Sequence, residues 1–271
     1  MIIDTNTALL EYIPNVFQSV IGENSLFEKL EKHLKVAELW LNLEICDHAT
    51  YEGLAEKEQG LAKRIVAMDA FARGIHQLDL ALTPNGFGVV SNQNVAPASK
   101  ERVANLRQQT IEERDITINQ LLKKLQGNSS WCNSAPGKKW GKTVIQNLDI
   151  SVECGESCPS LVFYKGHIRE IQGVQRMIAL NFVSVVIMDR LCQSIQDATV
   201  TDVEAGLIDM IHAFIVASLK EEEQHHTDLE NMVDYIKKHP EDFSDWASSD
   251  TALLFEDYTF ENKKEAKGFW F

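Results

Sequence analysis

Apolar residues along most of the chain recur every three or four positions, which is the spacing of an amphipathic α-helix. From Ser25 to Cys46 these positions share one face, and Asn24 or Ser25 can cap the start of the helix. A second helix is predicted from Glu58 to Leu78, joined to the first as a helical hairpin. The pattern therefore predicts a mainly α-helical protein.

A turn-rich segment at residues 80–98 interrupts the helical pattern. Short runs of β-type residues flank its turn formers, so we expect a β-hairpin insertion here. The turn formers are Pro84, Asn85, Gly86 and Gly88. A third helix follows, for which Ser99 is the predicted cap, and it ends at Gly127.

The least regular pattern lies at residues 129–168. Apolar and polar residues nearly alternate at 144–152, and residues 161–164 form another β-type run, so a small β element is expected here. Beyond it, Ile171 to Ile195 reads as one strongly apolar helix. A further long helix, capped by Thr201 or Asp202, is predicted to run to Lys238, where Pro240 ends it.

These elements divide the chain into two helical-bundle halves. The predicted units are an N-terminal half at 1–128, an irregular or β connector at 129–168, a C-terminal half at 169–246 and an extended tail at 247–271.

The two halves share a weak order of features. Gly60-Leu61 corresponds to Gly206-Leu207, and the Lys-Lys pair before Trp131 corresponds to the Lys-Lys pair before Trp246. The interval between these marks is about 32 residues longer in the first half, and the 80–98 hairpin accounts for much of that difference. Either an internal duplication or two helical hairpins of similar composition explains the likeness.

The charge and the cysteine content of the chain limit the classes of function and the cellular location that we expect. The formal net charge is −14, which disfavours a surface that grips nucleic-acid phosphates. The first residues lack the pattern of a signal peptide, and no apolar stretch approaches the ~20 residues of a membrane span, so we expect a cytosolic protein. Five scattered cysteines predict reduced thiols rather than a disulfide framework.

One acidic and histidine-rich run is a candidate metal site. Glu222 and His225, and likewise Glu223 and His226, have the Glu-x-x-His spacing with which ferritin-like bundles bind a dinuclear metal centre. Such a centre needs a second pair from another helix, and none is present at that spacing. Such a run is more often a solvated helix face than a metal site.

Two other motifs lack the features that their chemistry needs. The segment from Pro136 to Thr143 resembles a phosphate-binding loop at its end but has proline where the first glycine is required. Cys154 and Cys158 have no second ligand pair at zinc-site spacing. No nucleophile elbow or other catalytic signature is present, so the chain is predicted to be non-enzymatic and to bind no cofactor.

The segment from Leu78 to Val103, Leu-Asp-Leu-Ala-Leu-Thr-Pro-Asn-Gly-Phe-Gly-Val-Val-Ser-Asn-Gln-Asn-Val-Ala-Pro-Ala-Ser-Lys-Glu-Arg-Val, resembles the signature of an uncharacterised protein family of Bacteroidetes phages and prophages. Looser similarity covers residues 26–30 and the ending at 263–271. The resemblance implies a phage structural protein, in particular a head-to-tail connector that forms a ring beneath the portal.

The resemblance also implies partners and a location. The expected partners are further copies of the chain, the portal protein and a tail or stopper protein, with DNA passing through without specific binding and no membrane involved. The expected location is the virion, assembled in the host cytoplasm. The predicted contact residues are Pro84, Asn85, Gly86, Phe87 and Gly88 in the hairpin, and Phe269, Trp270 and Phe271 at the end. The aromatic ending either anchors in a pocket on a partner or folds back onto the core of its own chain. A ferritin-like metal protein and a monomeric scaffold stay as alternatives.

Overall fold

The computed structural model describes residues 1–13, 24–78, 80–83, 86–89, 99–222 and 226–256. Within these ranges the protein is mainly helical, which confirms the fold class that the periodicity predicted. The buried apolar side chains of both halves belong to one connected core.

Three long helices dominate the first half, with α4 packed between α2 and α5. The cap predicted at Ser25 is confirmed, because its Oγ accepts a hydrogen bond from the Glu28 N–H while the Glu28 carboxylate accepts one from the Ser25 N–H. The helices are α1 (Asn6–Leu10), α2 (Leu26–Glu44), α3 (His48–Glu52), α4 (Glu56–Gly74) and α5 (Lys100–Leu125), and a 3₁₀ turn (Ile75–Gln77) follows α4.

Two short strands lie between α4 and α5. Strand β1 (Leu80–Thr83) pairs antiparallel with β2 (Gly86–Val89). Residues 84–85 and 90–98 lie outside the described part of the chain. The contact role predicted for the segment 80–98 stays a prediction.

The β element predicted at 129–168 is wrong, because the described residues there form helices and loops. These helices are α6 (Ser129–Asn133), α7 (Ala135–Trp140), α8 (Asp149–Glu153) and α9 (Leu161–Ile178). The loop between α7 and α8 is buried, and side chains satisfy its backbone instead of a neighbouring strand. Gln175 accepts a hydrogen bond from the Val144 N–H at 2.9 Å, and Asn119 accepts one from the Leu148 N–H at 2.8 Å.

The second half contains more helix breaks than the sequence predicted. The apolar stretch predicted as one helix is interrupted at Ser184, whose φ is 85° and whose hydroxyl caps the next helix. The polar stretch after α11 also breaks, with Glu221 at φ 53°, so the long helix predicted to reach Lys238 is two helices. After α9 come a π-helical turn (Ala179–Val183), α10 (Val185–Gln196), α11 (Asp202–Leu219) and α12 (His226–Lys238).

The beginning of the predicted extended tail folds back against the second half. A 3₁₀ turn (Ala252–Phe255) follows Trp246, and both Thr251 and Ala252 are buried. The Thr251 hydroxyl donates a hydrogen bond to the Leu180 carbonyl at 3.4 Å. Residues 247–256 are therefore part of the folded body, and residues 257–271 lie outside the described part of the chain.

The two buried tryptophans that the sequence aligned occupy matching environments. The Trp131 indole donates to the Ile45 carbonyl at 2.8 Å, just after α2, and the Trp246 indole donates to the Phe182 carbonyl at 3.0 Å, after α9. A serine three residues later, Ser134 or Ser249, donates to the carbonyl of its tryptophan at 2.6 Å in both cases. The buried tryptophan of each half is therefore held by the same two kinds of hydrogen bond.

Candidate interaction site

A groove runs along one face of α9 and is the most developed candidate site among the described residues. It consists of two adjoining clefts of about 580 and 570 Å³ that share Lys142 and Gln172. We call it the α9 groove. The residues of α9 and of the π-helical turn after it that line the groove are Tyr164, Lys165, Ile168, Arg169, Gln172, Gln175, Arg176, Ala179 and Leu180, with the last two in the turn.

The spacing of these residues explains why they form one wall. They follow one another at intervals of one, three or four positions, which places them on a continuous stripe of a helix. An adjoining stripe carries Ile171 and Ile178, which are buried in the core. Ser160 fixes the start of the helix, because its Oγ accepts a hydrogen bond from the Phe163 N–H.

Helix α7 supplies the other wall at one end of the groove. Its Trp140 ring stacks on Tyr164 with the ring centroids 4.7 Å apart, and its indole donates to the Glu44 carbonyl at 2.9 Å. Burial raises the pKa of Tyr164 to about 12, and its hydroxyl donates to the Ile145 carbonyl. The two rings are therefore a fixed part of the wall.

The helix that carries Trp140 is itself fixed by a close backbone contact. A Cβ at Gly137 would lie 1.8 Å from the Trp131 carbonyl oxygen, so only glycine fits there. This contact sets the position of α7 against α6.

This end of the groove is basic although the whole chain is acidic. Glu44 is bridged by Lys139 at 2.8 Å and by Lys165 at 2.9 Å. Burial raises the pKa of Glu44, but the hydrogen bonds from these two lysines outweigh burial and leave the pKa lowered. Lys142 and Arg169 also line this end and form no ion pair with any described residue. The basic end therefore keeps cationic side chains for which the described chain offers no anion.

The other end of the groove is more apolar. Leu180 and Val185 line it and are each about half exposed, and Met188 lies beneath them in the core. Asp189 and Arg176 are the charged residues there. The groove thus changes from basic to apolar along the length of α9.

The two predicted metal ligands that the structure describes, Glu222 and His226, do not lie on one helix. Glu222 precedes α12 and forms an ion pair with Lys220 at 2.8 Å, while His226 begins α12 and lies near Glu230. Glu223 and His225 lie outside the described residues. Among the described residues no group of three or more His, Cys, Asp or Glu side chains has an arrangement suited to a metal ion.

The predicted contact residues are only partly within the described chain. Gly86, Phe87 and Gly88 form part of β2. The turn residues and the aromatic ending lie outside the described residues; they are Pro84, Asn85, Phe269, Trp270 and Phe271. Their role in contacts stays a prediction.

The cysteines lie in surroundings that suppress thiolate formation. Burial raises the pKa of Cys46 and of Cys192 to about 12, and it also raises the pKa of Cys154 and Cys158. The thiolate is the nucleophile and the metal ligand, so these shifts disfavour both roles near neutral pH.

Sequence reasoning missed a buried ion network at the junction of the halves. Arg114 on α5 forms ion pairs with Asp69 on α4 at 2.6 Å and with Asp115 at 2.8 Å. The other Asp115 oxygen accepts a hydrogen bond from the Leu161 N–H, the first residue of α9. This network positions α9, and therefore the groove, relative to the first half.

An exposed apolar stripe on α2 was also missed. Val36, Leu39 and Leu43 are each about half exposed or more, and their spacing places them on one side of the helix, away from the core. The interval of three and four residues is visible in the sequence, but the core stripe of the same helix has the same period. Among the described helices, none combines the length and apolar character needed to cross a membrane.

Comparison with known proteins covers only part of the chain. Residues 17–139 are similar to a family of unknown function, DUF6712. This range contains α2 to α6 and most of α7, so the similarity covers the first half. No curated protein and no solved structure matches the chain. The first half is therefore a unit that resembles other proteins, and the family description gives it no activity.

Proposed function

We propose that this chain is a non-enzymatic structural protein of a phage that assembles into a ring between portal and tail. The proposal rests on the resemblance of the 78–103 segment to a phage and prophage family. The structural observation that carries it is a pair of different exposed apolar surfaces on the two halves of the chain. Two different surfaces that fit each other link copies head to tail, and such contacts close into rings when the rotation permits.

The first surface is the α2 stripe of Val36, Leu39 and Leu43. All three side chains project from the helix side opposite the core residues Leu34 and Leu41. A helix with apolar residues on two sides exceeds what packing within one chain requires. The stripe is therefore suited to contact with another chain.

The second surface surrounds the break between α9 and α10. Leu180, Val185 and Val186 are each about half exposed, and Leu253 and Leu254 are more so. The 3₁₀ turn that carries the last two is joined to this region by the hydrogen bond from Thr251 to the Leu180 carbonyl. We call these five residues the C-terminal patch.

The charge of the chain agrees with a ring through which DNA passes. A net charge of −14 repels phosphates, so DNA would slide rather than bind. In this proposal the 80–98 hairpin reaches the portal and the tail or stopper proteins, and the end of the chain reaches a neighbouring copy. The assembled location would be the virion.

The matching tryptophan environments support a second part of the proposal, that the two halves arose by internal duplication. The same indole-to-carbonyl and serine-to-carbonyl hydrogen bonds occur at equivalent places in both halves. The two indole bonds join residues far apart in the sequence, whereas the two serine bonds are local. A duplicated unit also explains a chain larger than a minimal adaptor.

The ring is tested by one charge placed in the α2 stripe. Leu39→Asp in the full chain should leave the helical circular dichroism unchanged and convert a high-mass assembly into monomers in mass photometry. Val162→Asp is the matched control, because Val162 is an exposed valine outside both apolar surfaces. If wild-type protein is monomeric over a wide concentration range, or if Leu39→Asp assembles like wild type, the proposal fails.

A further inference from the structure

We propose that the α9 groove of each copy binds the C-terminal segment of a neighbouring copy. This inference rests on the proposed ring and identifies the contact that links its subunits. The occupant is residues 257–271, which follow the folded body. The argument depends on charge, on the order of residue types and on the position of Glu256.

The first part of the segment is complementary in charge to the basic end of the groove. Five cationic side chains line the groove against two acidic ones, in a chain whose net charge is −14. The first part of the segment carries the acids Asp257 and Glu261 and no basic residue before Lys263, whereas its second part carries Lys263, Lys264 and Lys267 against Glu265. Lys142 and Arg169, which have no ion-pair partner among the described residues, would gain one. The cationic residues are Lys139, Lys142, Lys165, Arg169 and Arg176.

The order of residue types also matches. Along the segment, Asp257 and Glu261 come first with Tyr258 and Phe260 beside them, a lysine-rich stretch follows, and three consecutive aromatic residues come last, at 269–271. Along the groove, the basic end lies beside Glu44 and the apolar end beside Leu180. A segment that enters at the basic end therefore places acids among cations and aromatic rings on apolar side chains.

This order favours a neighbour's segment over the chain's own. Within one chain Glu256 follows the turn that is bonded to Leu180, so a segment returning to its own groove would enter at the apolar end. In the proposed ring, the C-terminal patch of one copy contacts the α2 stripe of the next. That stripe ends at Leu43, directly before Glu44 of the basic end. A neighbour's segment would therefore enter at the end that matches its acids.

The C-terminal segment is long enough to reach and fill the groove of a neighbouring copy. From Lys165 to Leu180 the groove follows about 22 Å of helix at 1.5 Å per residue. Fifteen residues after Glu256 span up to about 50 Å when extended. The segment is long enough to cross a subunit boundary and fill the groove.

A nucleic-acid strand is the competing occupant of a basic groove. The groove has acidic residues at both ends, Glu44 and Asp189, and an apolar floor near Met188, which suit a peptide with aromatic residues better than a phosphate backbone. Nucleic-acid binding is therefore an outcome of the test that would overturn the proposal.

The test mixes two full-length variants. The groove variant is Lys142→Glu with Arg169→Glu, and the segment variant is Asp257→Lys with Glu261→Lys. For each variant alone, the protein concentration at which half of the chains are assembled should rise about tenfold or more, because like charges then face each other across the contact. An equimolar mixture should form mixed assemblies with the two variants in 1:1 ratio in native mass spectrometry, because one contact joins an intact groove to an intact segment and the other joins acidic groove residues to basic segment residues. The matched control is Lys124→Glu with Lys138→Glu, which makes the same charge change at exposed positions outside the groove and should assemble like wild type.

Several outcomes overturn the inference. The inference fails if both variants assemble as well as the wild type. It also fails if each variant has lost assembly and the mixture of the two does not associate. Binding of a labelled single-stranded oligonucleotide to wild type but not to the groove variant would assign the groove to nucleic acid. Failure of the ring is distinguishable: if electron microscopy of wild type shows no ring but the mixture associates, segment exchange stands and the connector function does not.

Discussion

Replacing Arg114 with methionine is expected to destabilise the protein by about 3 kcal/mol at neutral pH. The guanidinium is 12% exposed, and the Asp69 and Asp115 side chains that it bridges are 1% and 3% exposed. Methionine keeps much of the apolar volume but leaves Asp115 without its cation. Asp69 retains Arg73, so the lower end of the usual 3–5 kcal/mol range for breaking a buried ion pair applies.

The loss of stability caused by Arg114→Met should depend on pH. Burial already raises the pKa of Asp115 above its ordinary value of 3.8, and the charge of Arg114 opposes that rise. Without Arg114 the folded pKa rises further above the unfolded one. A carboxyl whose folded pKa is raised costs stability as pH increases through the interval between the two values. The deficit of the variant should therefore be small near pH 4 and grow toward neutral pH.

Urea unfolding followed by circular dichroism at several pH values measures this deficit. The matched control is Arg64→Met, which breaks an exposed pair with Glu113 between the same two helices and should cost at most about 1 kcal/mol. The reasoning is refuted if Arg114→Met costs no more than Arg64→Met, or if its deficit does not change with pH.

Three further predictions concern the core and the turns. Cys46 and Cys192, with their pKa raised to about 12, should resist iodoacetamide at pH 8 in the folded protein and react after unfolding; reaction of the folded protein, detected by peptide mass, would contradict the burial. Trp246→Phe should lower the free energy of unfolding by about 1–3 kcal/mol because the Phe182 carbonyl loses its donor, whereas an unchanged urea midpoint would show that this bond contributes nothing. Gly127→Ala should cost about 1–2 kcal/mol because Gly127 has φ 79°, and equal thermal stability of variant and wild type would contradict that reasoning.

The sequence was sufficient for the helices whose ends carry side-chain caps. Ser25, Ser99 and Thr201 begin α2, α5 and α11 as predicted, since each accepts a hydrogen bond from the N–H three residues later. Such caps are local, so three or four residues specify them. Capping serines were also present at Ser134 and Ser160, and the β prediction for 129–168 did not use them.

The breaks in the second half depend on tertiary contacts. Ser184 has an unfavourable φ of 85° beside the buried residues Phe182 and Val183, and although its hydroxyl caps the next helix, the apolar run on both sides conceals this single polar signal of a break. The α9 groove was not predictable for the same reason. Its walls come from distant segments, with Glu44, Lys139 and Lys165 brought together by folding. A basic cluster at 138–142 was visible in the sequence, but its counterpart on α9 was not.

The most direct test of the connector proposal is electron microscopy of the purified full chain, alone and with the portal protein. The proposal predicts closed rings of identical subunits, with the α2 stripe of one copy against the C-terminal patch of the next. A strict monomer that stays monomeric in the presence of the portal protein would contradict it.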